Sequence, residues 1–151
     1  MKEKKGLIII VVAIVAVGIF FLSQSSLTPS SNSDNGVPTG GGKTFLLQPG
    51  SSFNAHGSAT LSATAEGVWI SLAVSDTPSS GGTYPAYIHE GTCAGLGPVL
   101  YLLTPISSGE SDTLISTSLE ELRRQLPIAI NVNKSNSELN VSVTCTTIDS
   151  L

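Results

Sequence analysis

Three hydropathy regimes follow one another along the chain. Leu7 to Leu22 is an apolar run of sixteen residues interrupted only by Gly18. Residues 23–43 are Ser, Pro, Asn, Gly and Thr with almost no bulky apolar side chain, and from Thr44 onward apolar residues recur at every second position. The first regime is longer than a soluble core requires; as a helix it spans about 24 Å, against a hydrocarbon layer of roughly 30 Å. The second cannot bury enough surface to fold and reads as a flexible linker with ends about 25 Å apart. The third is the signature of strands with one buried face.

Within the third regime, Ala59, Leu61, Ala63 and Ala65 alternate with Ser58, Thr60, Ser62 and Thr64. Past Glu66-Gly67, Val68, Ile70, Leu72 and Val74 alternate with Trp69, Ser71, Ala73 and Ser75, which predicts a β-hairpin. Further strands are predicted near Phe45 to Gln48, Ala86 to Glu90, Val99 to Thr104, Thr113 to Thr117, Ile128 to Asn133 and Leu139 to Thr147. The turn residues between them are Pro78 with Gly81-Gly82, Gly95 with Gly97-Pro98, Ser107 to Gly109, and Lys134 to Ser137. Strands this short and this numerous predict an all-β sandwich. One short helix interrupts them: Ser118-Leu119-Glu120-Glu121 is a capping box, Leu119, Leu122 and Leu126 share a face, and Pro127 ends the run. The helix is expected to close one end of the sandwich, with Arg123 and Arg124 in solvent. Trp69, the only tryptophan, is expected to pack under a neighbouring loop.

Charge adds the compartment. Lys2, Lys4 and Lys5 precede the apolar run, so the positive-inside rule places Met1 in the cytoplasm and everything after Leu22 outside. Residues 1–22 are thus a membrane anchor or a cleaved signal segment, residues 23–43 a linker and residues 44–151 an extracytoplasmic domain. A pilin-like leader cut after Gly6 is a third reading, although Val11 stands where pilins usually carry Glu. Beyond Leu22, Lys43, Arg123, Arg124 and Lys134 face ten acidic residues, a formal charge of −6. Such a surface repels phosphate backbones and excludes nucleic acid as a partner. The membrane, and another envelope protein, are the partners expected.

The candidate chemistry lies in Tyr87-Ile88-His89-Glu90-Gly91-Thr92-Cys93 and in Cys145, the second of two cysteines. Tyr87 and His89 are two apart on a strand and share a face. A His-x-His pair in that position offers two imidazoles to zinc or copper; here one of the two is tyrosine. Pro85 through Cys93, Leu96-Gly97-Pro98-Val99, Ala129-Ile130-Asn131-Val132-Asn133-Lys134-Ser135 and the late Cys145 together resemble the small secreted β-sandwich domains related to Cu/Zn superoxide dismutase and to CHRD domains. That family's pattern runs Pro-Ala-His-Ile-His-x-Gly-Thr-Cys, then Ala-Ile-Asn-Val-His-x-Ser, then Cys, and the likeness covers about residues 57–148. It implies a Greek-key sandwich, a Cys93–Cys145 disulfide, and metal ligation at the positions of Tyr87, His89 and Asn133.

Two of those three positions are not histidine. Phenol ionises near pH 10 and neutral Asn is a poor ligand for borderline metals. The chain holds two histidines, His56 and His89, too few for a dinuclear copper–zinc dismutase site. The expected function is therefore non-catalytic, structural or binding, with no cofactor. The alternative is a mononuclear copper or zinc site at His89 with Tyr87, Glu90 or His56. Without a metal, His89 is expected to be a neutral imidazole satisfied by a backbone carbonyl or by Tyr87, and His56 a solvated loop residue. Cys145 shares its parity with Leu139, Val141 and Val143, which predicts that the bridge pins the last strand from the core side. Gly-x-Ser-x-Gly is absent, and Gly40-Gly41-Gly42-Lys43-Thr44 lacks the spacing of a phosphate loop. Asn133 and Asn140 head two glycosylation sequons.

Overall fold

A computed structural model describes residues 41–151 apart from Ser80. The apolar run, with its bounds Leu7 and Leu22, and nearly all of the linker lie outside the described residues. Among the described residues no helix is long and apolar enough to cross a membrane.

The described chain forms eight strands and one helix: β1 (Lys43–Pro49), β2 (His56–Ala63), β3 (Val68–Ser75), β4 (Thr83–Thr92), β5 (Gly95–Ser107), β6 (Glu110–Ile115), α1 (Leu119–Arg124), β7 (Ile128–Asn133) and β8 (Ser142–Ile148). All pairings are antiparallel, in the closed order β1-β2-β3-β6-β5-β4-β7-β8. β4, β5 and β6 follow one another by short turns, and β7 returns past them to lie beside β4, the four-strand arrangement of a Greek key.

Closure corrects the expectation of a two-sheet sandwich: the sheet is a barrel. The alternation of apolar and polar residues is the same in both, because each buries every second side chain. The difference lies in β1, which pairs with β2 from Lys43↔Leu61 to Leu47↔Gly57 and then with β8 at Gln48↔Cys145 and Pro49↔Thr144. One strand thereby joins what would be two free edges, and closure removes them as pairing templates.

The predicted hairpin of β2 and β3 forms, with Ala59 opposite Leu72 and Leu61 opposite Ile70. Its turn is held by Thr64, whose N–H donates to the Gly67 carbonyl at 2.9 Å and whose hydroxyl accepts the Gly67 N–H at 3.1 Å. β5 and β6 meet through Ser108 and Gly109 at φ 55° and 89°, the left-handed pair of a two-residue type I′ turn. β6 consequently starts at Glu110, earlier than the predicted Thr113. β4 and β5 are longer than predicted because their ladder runs through Gly91↔Leu96 to Thr92↔Gly95.

The inward row includes Leu47, Leu61, Ile70, Ile88, Ile106, Ile128, Ile130 and Ile148, all buried. Each such side chain contributes roughly 1.5–3 kcal/mol of transfer free energy. α1 adds Leu122, which is fully buried, to this core. The Ser118 hydroxyl caps the helix by accepting the Glu121 N–H at 3.1 Å. Arg123 and Arg124 are exposed and paired with Glu120 and Glu121 at 3.4 and 2.8 Å. Trp69 is half-buried on the outer surface between Ser62 and Leu114 of the adjoining strands.

Candidate functional site

The candidate residues lie on the outer surface of the barrel, across β4, β7 and β8. Ala86 and Ile88 of β4 point into the core, so Tyr87 and His89 point outward. On β7 the same alternation sends Ile128, Ile130 and Val132 inward and Ala129, Asn131 and Asn133 outward. Ladder pairing sets Tyr87 opposite Asn131 and His89 opposite Ala129. Across β7, Asn131 faces Cys145 and Ala129 faces Thr147.

The two cysteines stand at disulfide distance, with Cα atoms 6.0 Å apart. The bridge crosses the outer surface, since Cys145 is opposite Asn131 on one side and Gln48 on the other. This corrects the core-side placement predicted from parity. Val143 does belong to the core, but a register shift beside Asn133 intervenes, and β8 begins only at Ser142. A bulge of this kind adds one residue to a strand and reverses the facing of those beyond it. Leu139 and Val141 lie before the strand, and Leu139 is exposed. The Cys93 N–H is in turn held by the Thr147 hydroxyl at 3.0 Å.

Tyr87 and His89 meet edge to face, with ring centroids 5.9 Å apart. His89 Nδ1 lies 3.0 Å from the Gly97 carbonyl oxygen. A carbonyl only accepts, so Nδ1 carries the proton in the neutral imidazole and Nε2 keeps its lone pair. Nε2 is buried and has no hydrogen-bond partner. Gly97 lies on β5 opposite the end of β4, where Gly91 has a φ of 91° that suits glycine.

Asn133 is drawn into a different set of contacts. Ser142 Oγ donates to Asn131 Oδ1 at 2.6 Å, and Asn131 Nδ2 donates to Asn133 Oδ1 at 2.5 Å. Both asparagines are buried, so the Asn133 sequon is closed to modification in the folded domain, whereas Asn140 is exposed. Asn131 and Ser142 were not among the candidates. Asn131 does stand inside the Ala129–Ser135 motif, and its alternation with Ile130 and Val132 marks it as an outer residue.

The remaining suggested ligands are elsewhere. His56 is exposed on β2, with Nδ1 3.0 Å from the Asn54 carbonyl and 3.6 Å from the Asp76 carboxylate. Glu90 is exposed and follows His89 directly, so the two side chains leave the strand on opposite faces. Among the described residues no three His, Cys, Asp or Glu side chains converge. The set Tyr87, His89 and Asn133 does not fit zinc or copper as three donors, because it contains one imidazole and an amide oxygen already taken by Asn131.

A shallow trough of about 280 Å³ lies on another part of the barrel, lined by Ser58, Thr60, Ser71, Ala73, Glu110 and Asp112. Ser71 donates its hydroxyl hydrogen to the Asp112 carboxylate. No histidine joins that pair, so a serine nucleophile there would lack its base.

No protein-family model, curated protein or solved structure matches this chain. The functional reading therefore stands on the site residues and their surroundings.

Proposed function

We propose that this chain is a non-catalytic, membrane-tethered extracytoplasmic module with a structural or binding role, derived from the superoxide-dismutase-like or CHRD-like domains that its motifs resemble. The Greek-key order and the place of Cys93 and Cys145 on neighbouring parts of one surface support that kinship. One observation carries the loss of the metal role: the amide oxygen of Asn133, at a family ligand position, accepts a hydrogen bond from Asn131. Asn133 already uses its amide oxygen on a buried partner, and withdrawing that oxygen toward a metal would leave the Asn131 donor unsatisfied.

The partner in this reading is another envelope component, reached from a tether formed by residues 1–22. The second reading, one copper or zinc ion at His89, is favoured by the buried and unpartnered Nε2 with its proton fixed on Nδ1. Metal analysis of protein purified without chelator separates the two. The module reading expects substoichiometric copper and zinc, unchanged in His89→Ala; one equivalent that disappears in His89→Ala would overturn it.

A further inference from the structure

We propose that the outer surface of β4 and β5 around Leu102 is the face through which two copies of this chain associate. Ladder pairing places Leu102 opposite Tyr87, Val99 opposite His89 and Leu96 opposite Gly91. Leu102 is 71% exposed, Val99 46% and Leu96 39%, so three of the six exposed large hydrophobic residues among the described residues lie along this one strand. Tyr87 and His89 sit half-buried beside them and make the surface continuous. Contiguous apolar surface of this kind marks an interaction site, whereas isolated exposed leucines do not.

Charge selects the occupant. Between Glu90 and Glu110 the sequence contains no Asp, Glu, Lys or Arg. The described domain nevertheless carries nine acidic residues against four basic ones, a formal −5. The basic side chains are already engaged: Arg123, Arg124 and Lys134 pair with Glu120, Glu121 and Glu138, and Lys43 reaches the Ser150 carbonyl and the Phe45 ring. A basic partner would find its complement at Glu110 and Asp112. Two copies of an acidic domain repel through every charged surface and approach without like-charge contact only across a neutral one.

A two-fold axis near Leu102 would set each copy's Leu102, Val99 and Tyr87 against the same residues of the other. This deepens the binding role proposed above by naming the partner, and rests on it.

Sedimentation velocity of the full oxidised chain over a concentration series tests the proposal. The wild-type chain is expected to form a reversible dimer. Leu102→Glu is expected to raise its dissociation constant at least about tenfold. Leu46→Glu, at a residue 69% exposed on the outer face of β1, should leave it unchanged. Val99→Thr, nearly isosteric, should weaken the dimer in the same direction and guards against misfolding as the cause. A wild-type chain that stays monomeric, or equal effects of Leu102→Glu and Leu46→Glu, would overturn it. So would a monomer that binds neutral phosphatidylcholine vesicles through Leu102, which would assign the patch to lipid. None of these results alters the metal content at His89, so failure here is distinct from failure of the module reading.

Discussion

Removing the Cys93–Cys145 bridge should cost this domain a large part of its stability. The bridge closes a loop with a sequence separation of 52 residues. In the chain-entropy model a loop of that length removes about 4 kcal/mol of unfolded-chain freedom, against a total of roughly 5–15 kcal/mol for an ordinary domain. The bridge joins the β4–β5 turn to β8, and β8 is one side of the short β1–β8 seam, which has ladder pairs only at Gln48 and Pro49. The double variant Cys93→Ala/Cys145→Ala avoids leaving a lone thiol and keeps a small apolar residue at the buried Cys145 position. Urea unfolding followed by the fluorescence of half-buried Trp69 should show a loss of about 4 kcal/mol relative to the oxidised protein. Hydrogen exchange should show the loss of protection concentrated in β1 and β8. A loss below about 1 kcal/mol would refute the view that the bridge acts by restraining the unfolded chain, and protection lost evenly over all strands would refute the view that it also holds this seam.

Three further outcomes follow from individual contacts. Ser118→Ala removes the hydroxyl that accepts the Glu121 N–H and should destabilise by about 1 kcal/mol, whereas Leu122→Ala, which empties a fully buried position, should cost about 2–5 kcal/mol; urea midpoints that rank them in the reverse order would contradict the packing of α1 on the core. Asn131→Leu strands the Asn133 amide oxygen and the Ser142 hydroxyl, with an expected cost of about 1–3 kcal/mol in the same assay, and an unchanged midpoint would show that the buried network does not hold β7 to β8. The hydrogen bond from Lys134 holds the Glu138 carboxyl below its ordinary value, so the favourable contribution of this exposed pair is present above the unfolded-state pKa and fades as pH falls through the folded one; NMR titration should show a lowered Glu138 midpoint that returns to the ordinary carboxylate range in Lys134→Gln.

The elements written most plainly in the sequence are those set by local chemistry. Leu61 and Ile70 pair across the predicted hairpin because alternation determines facing and Glu66-Gly67 determines the turn. Ser118 and Glu121 form the predicted cap because the contact spans three residues. Barrel closure was not legible, since it depends on β1 changing partners at Gln48, and no residue pattern distinguishes an edge strand from one paired on both sides. The facing of Cys145 does not follow from its parity with Leu139, Val141 and Val143, because a bulge that only the β7–β8 register reveals intervenes. At the site, the shared face of Tyr87 and His89 was legible from their spacing. The Gly97 carbonyl was not, because backbone acceptors leave no mark in side-chain chemistry. The engagement of Asn133 was equally hidden, since its partner Asn131, two residues away on the same strand, is oriented by Ser142 of β8.

The divided pairing of β1 has a mechanical consequence. A pull on the chain ahead of Lys43 would unzip β1 from β2 one pair at a time, from Lys43↔Leu61 toward Leu47↔Gly57. At Gln48 the strand passes to β8, and the residue opposite it is Cys145, covalently joined to Cys93. Tension entering through the N-terminal side would therefore peel β1 from β2 and then meet the Gln48 and Pro49 pairs with β8, a strand that the Cys93–Cys145 bridge ties to the β4–β5 turn.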